Sequence, residues 1–169
     1  HKWKNLVKDF IPTRANQLWV SDITYIELDS GCCYLHLVTD AYSKKIVGWC
    51  LAESLAAVFT LRALRMAIEL QKYGIRISMT EDYKPTDNGI AERVNGIIKG
   101  ESIYRQKGRF PSYEKALEQI KQFILFYNGH RPHYSIGMQT PDIAHKQAGE
   151  QKKMWKNKIY QKKKYESAN

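Results

Sequence analysis

Residues 18–51, LWVSDITYIELDSGCCYLHLVTDAYSKKIVGWCL, decide the fold. Three runs rich in β-branched, aromatic and aliphatic residues predict three strands, at 18–28, 33–39 and 45–51. Two short segments that favour turns, Asp29–Gly31 and Asp40–Lys44, separate these runs. Connections this short join neighbouring antiparallel strands, so the stretch predicts an antiparallel meander.

The pattern changes to helices after this meander. Residues 55–70 are rich in Ala, Leu and Met without Gly or Pro, which predicts a helix, and residues 75–79 predict a short fourth strand. Pro85 precedes a further helix from about 88 to 102. A strongly amphipathic helix then ends near 128–129. Its apolar face comprises Ala116, Leu117, Ile120, Phe123, Ile124 and Tyr127. This order of elements indicates an α/β fold.

The composition favours a single basic domain. A length of 169 residues with 43% hydrophobic residues is enough for a sizeable core. The formal net charge is +10 and the isoelectric point is about 9.5. A chain this basic usually binds a polyanion, first of all nucleic acid, and the alternative is a basic soluble domain without such a partner. Residues 145–169 hold eight Lys against two Glu, as either a solvated helix or an arm that grips DNA.

Several classes of protein are excluded by the sequence. No stretch of about 20 apolar residues predicts a membrane span, and the first residues lack a signal-peptide pattern. The three cysteines are odd in number and form no C-x-x-C pair, which argues against a disulfide framework or a Cys-rich zinc site. We therefore expect a reducing, cytoplasmic compartment. His130 and His133 form an isolated H-x-x-H, with too few spaced ligands to predict a metal site.

Two features point to chemistry. Asp22 lies inside the first predicted strand, where a carboxylate needs a partner unless it falls on the solvent face of an edge strand. On a helical wheel of the segment 88–102, four polar residues fall within about 60°: Asn88, Glu92, Asn95 and Lys99. An ordinary solvated face is one interpretation. A face selected only for solvent would favour Glu and Lys, however, so the amides indicate a binding surface.

These residues belong to ordered motifs that resemble a known family. Trp19-x-x-Asp22-x-Thr24-Tyr25 and Tyr34-Leu35-x-x-Val38-x-Asp40-x-x-Ser43-x-x-Ile46-Val47-Gly48-Trp49 resemble the opening of a retroviral-integrase-type core. Asp87-Asn88-Gly89-x-x-Glu92, with Asn95-Gly96 and Lys99, resembles its third catalytic block. Tyr127-Asn128-x-x-Arg131-Pro132-His133 and Thr140-Pro141 resemble its C-terminal signature. Over residues 16–145 the chain is similar to bacterial insertion-sequence transposases that use a copied, circularised DNA intermediate.

The resemblance implies a ribonuclease H-like mixed sheet flanked by helices, and an enzyme that cleaves and joins DNA strands in transposition. Such enzymes hold two Mg²⁺ or Mn²⁺ ions with an Asp-Asp-Glu triad, in which Asp22 matches the first carboxylate and Glu92 the third. The implied partners are element ends, target DNA and further copies of the chain, in the bacterial cytoplasm or on the nucleoid. The expected DNA contacts are Asn88, Asn95, Lys99, Arg131, Lys44 and Lys84.

Two of these expected contacts have a plainer interpretation. Arg131 contacts a DNA phosphate or, equally, anchors its loop to the end of the preceding helix. Lys44 lies at a turn, where lysines are usually just solvated.

One block of the family pattern is missing. The second Asp of the triad normally follows a central strand between the helix 55–70 and the strand 75–79, but here Leu70 runs directly into Gln71. The predicted strands also number four where this fold needs five. A strand, a helix and their connections would take about 20–30 residues. Either the natural chain has a segment here that this sequence omits, or a true deletion has removed catalysis.

The sequence divides into three predicted parts. We expect residues 1–17 to be a linker from an upstream DNA-binding region, residues 18–145 to be an integrase-like catalytic core, and residues 146–169 to be a basic tail. Two other functions stay open. One is a ribonuclease H-like nuclease that acts on RNA–DNA hybrids, and the other is a catalytically dead module that binds DNA or a partner transposase.

Overall fold

The computed structural model describes residues 7, 10–69, 89–103, 109–152 and 154. The strands are β1 (Trp19–Leu28), β2 (Gly31–Asp40) and β3 (Ile46–Ala52). The helices are α1 (Ala57–Glu69), α2 (Gly89–Ile98), α3 (Tyr113–Gly129) and the short α4 (Pro141–Ala144). A π-helical turn (Lys99–Ile103) continues α2, and a 3₁₀ turn (Tyr134–Ile136) follows α3. The predicted strand 75–79 and the basic segment 155–165 lie outside the described residues.

The three strands form one antiparallel sheet in the order β1-β2-β3, which confirms the predicted meander. Trp19 pairs with Asp40 at one end of the first ladder and Leu28 pairs with Gly31 at the other. The second strand therefore begins at Gly31, two residues earlier than predicted, because the ladder continues up to the tight turn. The β2–β3 ladder carries one shift of register, at Val38.

Helices cover both faces of the sheet. Side chains of α2 and α3, among them Ile98 and Ile120, pack with Leu35 and Leu37 in the larger core cluster. Helix α1 packs on the opposite face against Val38 and Val47. This sandwich of helices around a central sheet is the predicted α/β arrangement.

Helix α3 begins with a capped first turn. The Ser112 hydroxyl accepts a hydrogen bond from the Lys115 backbone N–H, which satisfies a donor that the first turn leaves free. The buried positions are Ala116, Ile120, Ile124 and Tyr127, as the apolar periodicity predicts. The prediction is wrong for Leu117, which is 36% exposed. Leu117 lies at the margin of the apolar arc, about 60° from its centre, where solvent reaches the side chain.

Gly48 lets α1 approach the sheet closely. A Cβ atom at this position would lie 2.0 Å from the carbonyl oxygen of Ala63, a distance that no side chain tolerates. Helix α1 buries only the small residues Ala63 and Ala67, so the two backbones nearly touch. Gly48 in the sequence motif is thus explained by packing.

Candidate active site

Asp22 on β1 contacts α2 directly. Its side chain is half-buried, opposite Leu37 in the ladder. The Asn95 side-chain amide donates a hydrogen bond of 2.7 Å from Nδ2 to Asp22 Oδ2. Among the described residues, this is the only hydrogen bond of the Asp22 carboxylate. The contact joins the two parts of the chain that the sequence singled out, 73 residues apart.

Glu92 lies on α2 three residues before Asn95. Its side chain is exposed and makes no hydrogen bond or ion pair within the described part of the chain. It borders an open surface groove of about 580 Å³ with Arg93, Gly96, Glu101 and other residues of the same helix. Three of the lining residues are glycines, Gly89, Gly96 and Gly100, and they add no side chains to this surface. A large ligand such as a nucleic acid backbone can therefore come close to Glu92.

The two carboxylates fit a hard divalent cation by their chemistry. Mg²⁺ prefers carboxylate oxygens and keeps positions open for water and phosphate. Asp22 has one oxygen outside its hydrogen bond with Asn95, and the Glu92 carboxylate is unpaired among the described residues. Within the described ranges, no group of three or more His, Cys, Asp or Glu side chains is arranged to hold a metal ion. The described site thus supplies two carboxylates and not a complete triad.

Lys99 follows α2 along the edge of β1. Its ammonium nitrogen lies 5.8 Å from the ring centre of Tyr25, which is 59% exposed. A cation over an exposed ring is held by only about 0.5–1 kcal/mol, so a phosphate can compete for it. Asn88 and Lys84, the other expected DNA contacts near α2, lie outside the described residues.

Arg131 forms an ion pair with Glu101. Its guanidinium makes two hydrogen bonds to the Glu101 carboxylate, at 2.7 and 2.5 Å. The bond to Glu101 raises the pKa of Arg131, so the side chain stays charged. Arg131 thus anchors its loop, which is the second of the two interpretations from the sequence. The ion pair connects the end of α3 to the π-helical turn after α2. No sequence pattern indicates this pair, since the partners are 30 residues apart.

His133 is buried against this pair. Its ring meets Tyr127 edge-on at 4.8 Å between ring centres, and Arg131 Nη1 lies 3.4 Å from its ring nitrogens. Burial, together with the Arg131 charge, lowers the pKa of His133 to about 4. His130 instead stacks on Phe126. The two histidines of the H-x-x-H motif therefore contact different aromatic rings.

Lys44 is folded back onto its own turn. Its ammonium donates a hydrogen bond to the Ala41 carbonyl oxygen, and its backbone carbonyl accepts one from the Tyr127 hydroxyl at 3.1 Å. Its φ of 66° is left-handed. The turn uses Lys44 structurally, and a role in DNA binding stays a prediction.

A buried polar cluster lies at the base of the same turn. The Ser43 hydroxyl donates to Asp40 Oδ1 at 2.7 Å, so His145 Nδ1 must donate to Ser43 Oγ at 2.8 Å. Asn16 donates its backbone N–H to Asp40 Oδ2 at 2.7 Å. Sequence reasoning placed Asp40 and Ser43 in a motif but missed His145. Burial lowers the pKa of His145, and the Asp40 carboxylate opposes this effect.

No helix in the described ranges is long and apolar enough to cross a membrane.

Comparisons with known proteins agree with these motifs. Two family models, each described as "Integrase core domain", match residues 12–82 and 73–141. The Escherichia coli K12 transposase InsF of insertion sequence IS3A is 37% identical, over 81% of this chain and 56% of its own length. An uncharacterized 31 kDa protein of insertion element IS600 from Shigella sonnei is 29% identical, over 80% of this chain and 59% of its own length. The chain thus spans less than three fifths of these relatives.

A solved structure has the same fold. The catalytic core domain of HTLV-2 integrase, in a dimeric complex with magnesium, superposes with a TM-score of 0.58. The match covers 78% of this chain and 97% of that domain, at 19% sequence identity.

Each alignment has more positions than the number of residues of this chain that it includes. The alignment with the IS600 protein spans 163 positions, but 80% of 169 residues is only about 135, so about 28 positions have no counterpart here. The alignment with InsF spans 164 positions and 81% of the chain, about 137 residues, which leaves about 27. This shortfall has the size of the strand and helix that the sequence lacks.

Proposed function

Because the chain belongs to the integrase core family of insertion-sequence transposases, we propose that it cleaves and joins DNA strands during transposition. The observation that carries this proposal is the contact of Asp22 with Asn95. It joins the strand with the expected first carboxylate to the helix with the expected third, Glu92.

In this proposal Asp22 and Glu92 hold divalent cations against the DNA backbone. A bound Mg²⁺ or Mn²⁺ pair would activate the attacking oxygen and stabilise the leaving oxygen of an in-line displacement. The side chains of this chain supply negative charge and orientation, and Lys99 supplies a cation for a phosphate next to the two carboxylates. The net charge of +10 favours DNA as the partner. Element ends must be brought together, so the proposed active form is a dimer or larger assembly on DNA.

The test is metal-dependent nicking and joining of duplexes that carry the ends of the element. We expect activity with Mg²⁺ or Mn²⁺, none with EDTA, and background rates for Asp22→Asn and Glu92→Gln. Glu118→Gln is the matched control, because Glu118 is an exposed acid on α3 that pairs only with Lys115 among the described residues. Activity that survives either site substitution would overturn the proposal. Cleavage of an RNA–DNA hybrid in place of element ends would favour a ribonuclease H-like nuclease.

A catalytically dead binding module is the second candidate, and it follows if the alignment shortfall of about 28 positions is a true deletion that removed the second Asp. Such a module would bind DNA equally with and without Mg²⁺, with affinity that falls steeply as salt is raised. A gel-shift titration with and without EDTA, run beside the nicking assay, separates the two candidates.

A further inference from the structure

Asn95 is the most unusual polar residue of α2. Its side chain is only 6% exposed, and the other buried positions of this helix are the apolar Ala91, Val94 and Ile98. Nδ2 donates to Asp22, while Oδ1 is buried and finds no hydrogen-bond partner among the described residues. A carboxylate only accepts hydrogen bonds, so a flipped amide would place two acceptor oxygens against each other. The amide must therefore keep Nδ2 towards Asp22.

Packing alone does not explain an amide at this position. A side chain of similar size without polar atoms would fill the space and would leave no acceptor stranded. A residue that breaks a local rule of stability commonly serves a function. Within the described part of the chain, the Asp22 carboxylate is the only hydrogen-bond partner of the Asn95 side chain, so the amide is best explained by that carboxylate.

We propose that Asn95 is a positioning residue that holds the Asp22 carboxylate in the orientation needed to bind a divalent cation. This inference rests on the proposed function, and it assigns Asn95 a role inside the protein in place of the expected contact with a DNA phosphate. By occupying Oδ2, the amide fixes the plane of the carboxylate and leaves Oδ1 for a cation. Residues that orient metal ligands in this way typically change metal affinity about 10- to 100-fold.

The test is direct binding of Mn²⁺ to the whole chain, followed by the electron paramagnetic resonance signal of free Mn²⁺, without DNA. The main variant is Asn95→Leu, which keeps most of the side-chain volume and removes both polar atoms. We expect Mn²⁺ affinity to fall about 10-fold or more, with a melting temperature equal to or above that of the unsubstituted chain. A residue with a merely structural role would give the opposite pattern, a lower melting temperature at unchanged Mn²⁺ affinity.

Ser102→Ala is the matched control. Ser102 is also buried, also carries an oxygen with no partner in the described ranges, and lies in the π-helical turn that continues α2. We expect this variant to bind Mn²⁺ as the unsubstituted chain does. Asn95→Ala serves as a second variant should the leucine not be accommodated, with the same expected loss of affinity.

Asp22→Asn makes the possible failures distinguishable. If Asp22→Asn abolishes Mn²⁺ binding and both Asn95 variants bind normally, Asn95 has no positioning role and the proposed metal site stands. If Asp22→Asn binds Mn²⁺ as well as the unsubstituted chain, or that chain binds none, both the metal site and the role of Asn95 are overturned.

Discussion

His133 is a histidine that the fold keeps neutral. Its pKa in the folded chain is about 4 because of burial and the neighbouring Arg131 charge, whereas an unfolded histidine titrates near 6.5. Below about pH 6.5 the unfolded state therefore takes up a proton that the folded state excludes. The stability associated with neutral His133 is complete above this pH and is lost as the pH falls towards 4.

We therefore expect the melting temperature to fall between pH 6.5 and 4, and to fall less in His133→Phe. Phenylalanine keeps the edge-on contact with Tyr127 but cannot take up a proton. Some decline will persist, because the pKa of His145 is also lowered. His130→Phe, at an exposed ring stacked on Phe126, is the control. Parallel melting curves of His133→Phe and the unsubstituted chain across this range would contradict the prediction.

Single residues differ in how far the sequence reveals them. Asp22 stands out because a carboxylate within an apolar strand needs an explanation, and the structure supplies one in Asn95. The wheel of α2 places Asn95 beside Glu92 but does not show that its side chain is buried. Burial depends on the sheet that the helix packs against, which periodicity within one helix does not encode. For the same reason the pairing of Glu101 with Arg131 was not predicted.

At the scale of elements, this pair joins α3 to the turn after α2. Its side chains are 22% and 38% exposed, between a surface ion pair and a buried one. We expect Arg131→Gln to lower the free energy of unfolding by about 1–2 kcal/mol, measured by urea denaturation. Glu101→Gln should lower it similarly, because the amide loses the negative charge and one of the two oxygens that accept from Arg131.

The same two variants decide between the two interpretations of Arg131. If Arg131 only anchors α3, both variants bind duplex DNA alike apart from the effect of their lost charges, which a salt titration quantifies. If Arg131 also contacts a phosphate, Arg131→Gln alone lowers affinity and lowers its salt dependence by about one counterion. Equal stability of Arg131→Gln and the unsubstituted chain would contradict the anchoring role.

Strands, turns and helix faces were the most predictable elements. The meander follows from local turn chemistry and strand propensity, and the buried face of α3 follows from apolar spacing. The π-helical turn at Lys99–Ile103 was not predicted, since the sequence indicated one continuous helix to about 102. The short α4 and the 3₁₀ turn were also missed, because segments of three or four residues carry too little periodicity to be recognised.

At the scale of the whole molecule, the shortfall of about 28 aligned positions bears on whether Leu70 and Gln71 are adjacent in the natural protein. The three described strands, the predicted strand 75–79 and the missing block together would complete the five strands of the family fold. A deleted central strand would expose apolar faces and unpaired backbone groups of its neighbours, which is costly. A chain that contains the segment is therefore the more stable alternative, and it would also supply the second Asp.

We accordingly expect the protein made from its natural gene to contain about 20–30 additional residues after α1. Digestion of that protein with a glutamate-specific protease tests this by mass spectrometry, because continuity of the sequence requires one peptide from Leu70 to Glu81. We expect that peptide to be absent, while the peptide from Arg93 to Glu101 is present as the control. Detection of the Leu70–Glu81 peptide would show that Leu70 and Gln71 are joined in the natural protein. Catalysis would then have to be withdrawn for this chain in favour of DNA or partner binding, since Asp22 and Glu92 alone would leave the triad without its second carboxylate.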